Sequence, residues 1–111
     1  MFYEPKKGHT FSIDPYKSLI FPRPIGWIST ISKNGIPNLA PYSYFNAIAD
    51  DPPQVMFSEE APIANNKYKD SLTNILSTKE FVVNFATAKT CKQMTLSSID
   101  APSDVDEFKF T

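Results

Sequence analysis

Ile25-Gly26-Trp27-Ile28-Ser29-Thr30-Ile31-Ser32-Lys33-Asn34-Gly35-Ile36-Pro37-Asn38-Leu39-Ala40-Pro41-Tyr42-Ser43-Tyr44-Phe45-Asn46 is the stretch that decides the fold of this 111-residue chain. Residues 25–32 are rich in β-branched side chains, which fit a pleated surface, and they predict a first strand. Lys33-Asn34-Gly35 follows, and Asn-Gly between two β-type segments predicts a hairpin because both residues tolerate positive φ. Residues 38–46 then run back as the second strand. Pro41 within it supplies no ladder donor and needs an edge position or a bulge. Just upstream, Arg23 between Pro22 and Pro24 holds the chain extended as it is delivered into the first strand.

Working outward, Asp14-Pro15 offers a helix opening, with Tyr16, Leu19 and Ile20 spaced along one helical face. On the other side, Asp50-Asp51-Pro52-Pro53 is a turn, and residues 54–58 read as a third, largely apolar strand. A polar loop over 59–68 leads to Asp70 or Ser71, either of which can cap a helix whose buried face is Leu72, Ile75 and Leu76. Residues 81–86 alternate, with Phe81, Val83 and Phe85 on one side and Val82 and Asn84 on the other, as a strand does. Residues 88–98 suggest a further helix, weakened by threonines and serines. Ser103-Asp104-Val105-Asp106-Glu107 resembles a helix cap and first turn. Ten prolines against three glycines and an aromatic share of 14% fit a sheet-based fold with short helices. The length suits one domain spanning 1–111. Three to four strands make an incomplete sheet, fewer than a barrel requires.

Composition excludes several classes of function. A formal net charge of -1 with scattered lysines and arginines gives no basic stripe, so nucleic acid is not an expected partner. Cys91 is the single cysteine. It cannot form an internal disulfide, suits a reducing cytoplasm, and reads as a small buried filler. No run approaches the roughly 20 apolar residues of a membrane helix, and a soluble, cytoplasmic protein is expected. His9, the only histidine, lies in a polar segment and is expected in solvent, leaving a Ser-His-Asp or Cys-His hydrolase little to rest on. No metal site is expected. Zinc would need His and Cys ligands that are missing, and Asp100, Asp104, Asp106 and Glu107 match no calcium loop and read as a solvated helix start. Neither a G-x-G-x-x-G turn nor a P-loop is present.

Two stretches nevertheless suit a nucleotide. In Lys67-Tyr68-Lys69-Asp70-Ser71, two lysines, a hydroxyl and the free N–H groups of a helix start converge where a phosphate could sit. The plain alternative is an ordinary capped surface helix. Tyr42-Ser43-Tyr44-Phe45-Asn46 alternates rings with hydrogen-bonding groups, a surface for a flat heteroaromatic ligand, or else core rings on one face and solvated hydroxyls on the other.

Four blocks in order carry a family resemblance. Residues 23–30, Arg-Pro-Ile-Gly-Trp-Ile-Ser-Thr, are followed by Asn38-Leu39-Ala40-Pro41-Tyr42-Ser43-Tyr44-Phe45-Asn46, by Asp51-Pro52-Pro53 leading to Met56-Phe57-Ser58, and by Lys69-Asp70-Ser71 through Asn74 to Glu80-Phe81-Val82-Val83-Asn84. This order resembles the flavin reductase-like, FMN-binding split-barrel family. The resemblance implies a mainly β fold with α, a split β-barrel homodimer holding one FMN per subunit, and NAD(P)H as a transient electron donor whose hydride goes to flavin N5. It places Trp27, Ser29 and Thr30 along the ring and ribityl chain, Tyr42, Ser43, Phe45 and Asn46 against ring and phosphate, and Ser58, Lys69 and Ser71 at the phosphate end. It names no acid–base residue, so catalytic side chains stay unassigned. Family members run to nearly twice this length, so the chain reads as the N-terminal part of such a domain, with the barrel incomplete at its C-terminus. A non-catalytic FMN electron carrier and a truncated product without activity are the alternatives.

Overall fold

The computed structural model describes residues 2–59 and 68–111. Helix α1, Pro15–Leu19, opens where expected: Asp14 accepts a hydrogen bond from the Tyr16 N–H at 2.9 Å, and proline occupies the first turn, where its missing N–H costs nothing. Its apolar face is not buried, since Tyr16, Leu19 and Ile20 are all exposed.

Strands β1, Gly26–Ile31, and β2, Pro37–Tyr42, form the expected antiparallel hairpin, with Ile28 opposite Ala40 and Ile31 opposite Pro37. The turn differs in detail. Gly35 alone takes positive φ, at 78°. Its N–H donates to the Ser32 carbonyl at 2.9 Å, while the Ser32 N–H donates to the Ile36 carbonyl at 2.9 Å. This is a three-residue loop closed by a left-handed glycine, not a two-residue Asn-Gly turn. Pro41 sits on an edge strand, opposite Trp27, because the sheet order is β2-β1-β5.

The second strand ends at Tyr42 instead of Asn46. Tyr42 pairs with Gly26, the first residue of β1, and Pro24 just beyond has no N–H to continue the ladder. The chain bends at Ser43-Tyr44 and starts a separate sheet, β3, Phe45–Asp50, paired with β4, Pro53–Phe57, through a bulge at Ile48. Phe45 turns its ring onto Gly26, where any Cβ would collide with it.

Helix α2, Asp70–Thr78, is preceded by Lys69 at the cap position with no side-chain cap, so neither Asp70 nor Ser71 caps it. Its buried positions are Ser71 and Asn74, while Leu76 is 54% exposed. The expected Leu72-Ile75-Leu76 face is displaced because the sheet surface beneath presents Thr30 and Asn38. Buried polar groups need partners, and Asn74 and Ser71 supply them. Lys79, at φ 65°, closes the helix with an N–H bond to the Ile75 carbonyl of 2.8 Å.

Strand β5 is only Val82–Asn84, shorter than the expected 81–86, and pairs antiparallel with β1. Neither of its faces is buried, and Phe85 beyond it is 92% exposed. Helix α3 is Cys91–Leu96. The Thr87 and Thr90 hydroxyls bond each other's backbone N–H groups and hold a separate turn ahead of it. Cys91 is exposed, not a buried filler, since it opens this surface helix. His9 lies in solvent, its ring near Tyr3 and Phe11. The tail forms a 3-10 turn, Glu107–Lys109, in which Asp106 accepts from the Phe108 N–H. Glu107 is buried, contrary to the solvated reading, because it accepts the outward N–H of Leu39 on the edge strand at 3.2 Å.

The fold is thus mainly β, with three short α-helices among the described residues. The buried apolar side chains among these residues are Trp27, Ile28, Leu39 and Tyr42. The rings of Tyr42, Phe57 and Phe81 join the two sheets, at 4.9 and 5.3 Å between successive centroids. Among the described residues the sheets do not close on one another. The radius of gyration, 16.0 Å, exceeds the about 13 Å of a compact domain of this length.

Candidate functional site

The two faces of the β1–β2 hairpin are fastened differently. Pairing in register puts Gly26, Ile28, Thr30, Asn38, Ala40 and Tyr42 on one face and Trp27, Ser29, Leu39 and Pro41 on the other. The first face carries α2. Asn74 Nδ2 donates to Thr30 Oγ1 at 3.0 Å, and Asn38 Nδ2 donates to Ser71 Oγ at 2.8 Å. On the second face Trp27 Nε1 donates to Ser97 Oγ at 2.9 Å, and Asn84 Nδ2 reaches both the Trp27 carbonyl and Ser29 Oγ at 3.0 Å.

A cleft of about 410 Å³ opens beside β2 and the start of α2, between Asn38, Tyr42, Lys69, Asp70 and Ser71 on one side and the 97–103 segment with Glu107 on the other. That volume lies within the about 300–1,000 Å³ of small-molecule sites. The Tyr42 hydroxyl is buried there, without a hydrogen-bond partner among the described residues. Burial pushes its pKa up. The neighbouring Ser71 hydroxyl, close enough to act but outside hydrogen-bonding geometry, pulls it down, and the charges of Glu59 and Asp70 raise it further. The phenol is therefore neutral at physiological pH and available as a donor. The Lys69 backbone N–H donates to Glu59 Oε1 at 2.6 Å, and Glu59 Oε2 is buried with no partner among the described residues. A second, smaller cleft of about 270 Å³ is lined by Ser29, Thr30, Pro37, Phe81 and Phe108.

Of the residues singled out in the sequence, Tyr42, Lys69 and Ser71 come together at the first cleft. Ser58 stands one residue before Glu59 and donates its N–H to the Tyr44 carbonyl at 2.9 Å. Phe45 is half-buried on Gly26, Ser43 is half-buried in the bend, and Asn46 is exposed on β3. Trp27 and Ser29 face the opposite side of β1, and Thr30, on the α2 side, is engaged by Asn74. Lys67 lies outside the described residues. Of the residues that hold this framework together, Asn38, Asn74 and Asn84 stood in the blocks that carry the resemblance and Glu107 in the acidic stretch read as solvated, none of them with a site role, and Ser97 was not singled out. A signal for two of the links existed: Ser71 and Asn74 are three residues apart on a helix that must cover a hairpin bearing the cross-strand pair Thr30 and Asn38.

A family model described as "Flavin reductase like domain" matches residues 18–111. An uncharacterized protein of Aquifex aeolicus is 46% identical over 94 residues, 82% of this chain and 46% of that protein. One of Deinococcus radiodurans is 40% identical over 93 residues, 79% of this chain and 40% of that protein. Among solved structures, nitrilotriacetate monooxygenase component B from Bacillus cereus superimposes with a TM-score of 0.76 at 29% identity, over 93% of this chain and 55% of that one. The 2-nitrobenzoate 2-nitroreductase of Pseudomonas fluorescens gives 0.67 at 28% identity, over 86% and 49%. The flavoredoxin of Desulfovibrio vulgaris gives 0.70 at 14% identity over 92% and 51%, a likeness of fold. The chain spans about half the length of these proteins. No helix among the described residues is long and apolar enough to cross a membrane.

Proposed function

The chain belongs to the flavin reductase-like domain family, and from that premise we propose that it is an FMN-binding oxidoreductase of the NAD(P)H-dependent flavin reductase type. The observation that carries this reading is the cleft at the start of α2, where the Ser71 hydroxyl, Lys69 and the buried Tyr42 hydroxyl, unpartnered among the described residues, converge. An orphaned buried donor loses free energy until something accepts from it, about 1–3 kcal/mol. A phosphate oxygen beside free helix N–H groups is a fitting acceptor. Charge is not what supports the reading: Lys69 stands among Asp70, Asp100 and Glu107 in the lining. The support is the geometry of the donors.

In this reading Lys69, Ser71, Tyr42 and Ser58 hold the phosphate, and Ser43, Phe45 and Asn46 meet the ring. Trp27, Ser29 and Thr30, already bonded within the chain, form the strand that carries the ring and ribityl chain. Bound FMN would supply the redox chemistry, taking a hydride at N5 from reduced nicotinamide and passing two electrons to an acceptor. The chain's own residues bind, orient and shelter. Tyr42 and Phe45 contribute apolar ring surface, and the neutral phenol donates a hydrogen bond without a charge of its own. No side chain is needed as a proton carrier for hydride transfer, which agrees with a single histidine lying in solvent far along the chain from these residues. A homodimer is supported by the many uncovered apolar side chains, such as Phe85, Val82, Ile48 and Met56.

Titration of the purified chain with FMN and with riboflavin, followed by flavin fluorescence, tests the reading. Tight FMN binding with much weaker riboflavin binding is expected. Binding of neither overturns it. Stopped-flow reduction of the complex by NADH and by NADPH then separates a reductase from an electron carrier, which would be reduced no faster than free FMN.

A further inference from the structure

Asn38 lines the cleft, and its only role so far is to tie β2 to α2. Its side chain is 8% exposed, Ser71 is 1% exposed, and Asn38 Nδ2 donates to Ser71 Oγ at 2.8 Å. A serine hydroxyl has one proton and two lone pairs. With one lone pair taken by the incoming amide N–H, the Ser71 proton must point away from Asn38. Tyr42 lies on the same strand face as Asn38, with its own hydroxyl buried beside Ser71 and unpartnered among the described residues.

We infer that Asn38 is a positioning residue that sets ligand specificity: by donating to Ser71 it orients the serine as a hydrogen-bond donor into the cleft. Ser71 and Tyr42 then form a two-donor seat that selects a phosphate monoester over the same flavin bearing only a hydroxyl. The inference rests on the flavin reading of the site. Both seat hydroxyls can donate to a phosphate oxygen. A riboflavin hydroxyl can accept from one but carries no charge to strengthen the bond, and bonds to charged groups are about twice as strong as neutral ones. Asn74, which makes the other polar link between α2 and the sheet through Thr30, has no part in orienting Ser71 and serves as the structural control.

The test is the ratio of FMN to riboflavin affinity, measured by fluorescence titration for the 111-residue chain and its variants. A partly unfolded variant weakens both ligands by one factor and leaves the ratio unchanged. Asn38→Ala is expected to lower the ratio about tenfold, the worth of one charge-assisted bond. Ser71→Ala should do the same, and the double variant should lose no more than either alone, since Asn38 acts through Ser71. Asn74→Ala should leave the ratio in place. If Asn38→Ala does not fold, the isosteric Asn38→Asp replaces it. Its carboxylate accepts a hydrogen bond from the Ser71 hydroxyl, so that a serine lone pair faces the phosphate, and a loss beyond tenfold is expected. A wild-type ratio in the Asn38 variants, or additive losses in the double variant, overturns the inference while leaving the phosphate site standing. A wild-type chain that binds the two flavins equally removes the phosphate site and the inference together.

Discussion

The three-stranded sheet and the β3–β4 hairpin are built from the same kinds of residue and end in opposite states. In β1, Gly26, Trp27, Ile28 and Thr30 are buried; in β3 and β4 only Phe45 and Phe57 are even partly sheltered. The difference lies in what covers them. The first sheet has α2 on one face, α3 toward the other and the Glu107–Lys109 turn along the β2 edge, each fastened by a buried hydrogen bond. The hairpin touches the sheet through Phe57, packed between Tyr42 and Phe81, and through Phe45 on Gly26. Strand preference therefore makes both elements, but covering decides which of them holds stability.

The comparison is sharpened most by Trp27→Ala. Removing this side chain empties the centre of the covered sheet and leaves Ser97 Oγ without its donor, with an expected loss of about 3–5 kcal/mol in equilibrium denaturation. A loss below about 1 kcal/mol, the size typical of an ordinary substitution, would break it, since the covered face would then hold nothing special.

A smaller effect comes from Tyr42, where sheet and hairpin meet. Its folded pKa is raised above the model-compound value of 10.0, chiefly by burial. The group thus holds its proton more tightly folded than unfolded. Its contribution is fully present below pH 10 and is lost as pH rises through the folded pKa. Chemical denaturation across that window should show stability falling with pH in the wild type, with this component missing from Tyr42→Phe. An equal fall in both proteins would mean that the ring is not buried at the junction.

The same contrast explains what was legible in the sequence. The hairpin at Lys33-Asn34-Gly35, the Asp14-Pro15 helix start and the β4 segment follow from local rules, and local rules act alike in covered and uncovered regions. The break after Tyr42 was not legible, because it depends on Gly26 being the last partner in a neighbouring strand. The polar underside of α2 was missed for a related reason: Leu72, Ile75 and Leu76 satisfy the helical period, but Thr30 and Asn38 across the gap decide which side turns inward. At the candidate site, Ser71 and Lys69 could be read from their place at a helix start. Asn38 and Glu107 could not, since their roles exist only once β2 lies beside α2 and the tail.

The smallest expected effect tests the uncovered half directly. Met56 lies on β4 opposite Asn46 and is 53% exposed. In a single copy of the chain Met56→Ser should change stability by no more than about 0.5 kcal/mol, as surface substitutions do. It should also do so equally at low and high protein concentration, if the face it occupies meets only solvent. A homodimer that uses this face predicts otherwise. The apolar side chains of Met56, Val55 and Ile48 would be buried between two copies, the denaturation midpoint would rise with concentration in the wild type, and Met56→Ser would abolish that rise. A concentration-independent midpoint together with a loss of several kcal/mol would defeat both outcomes, because only cover from within the chain produces it.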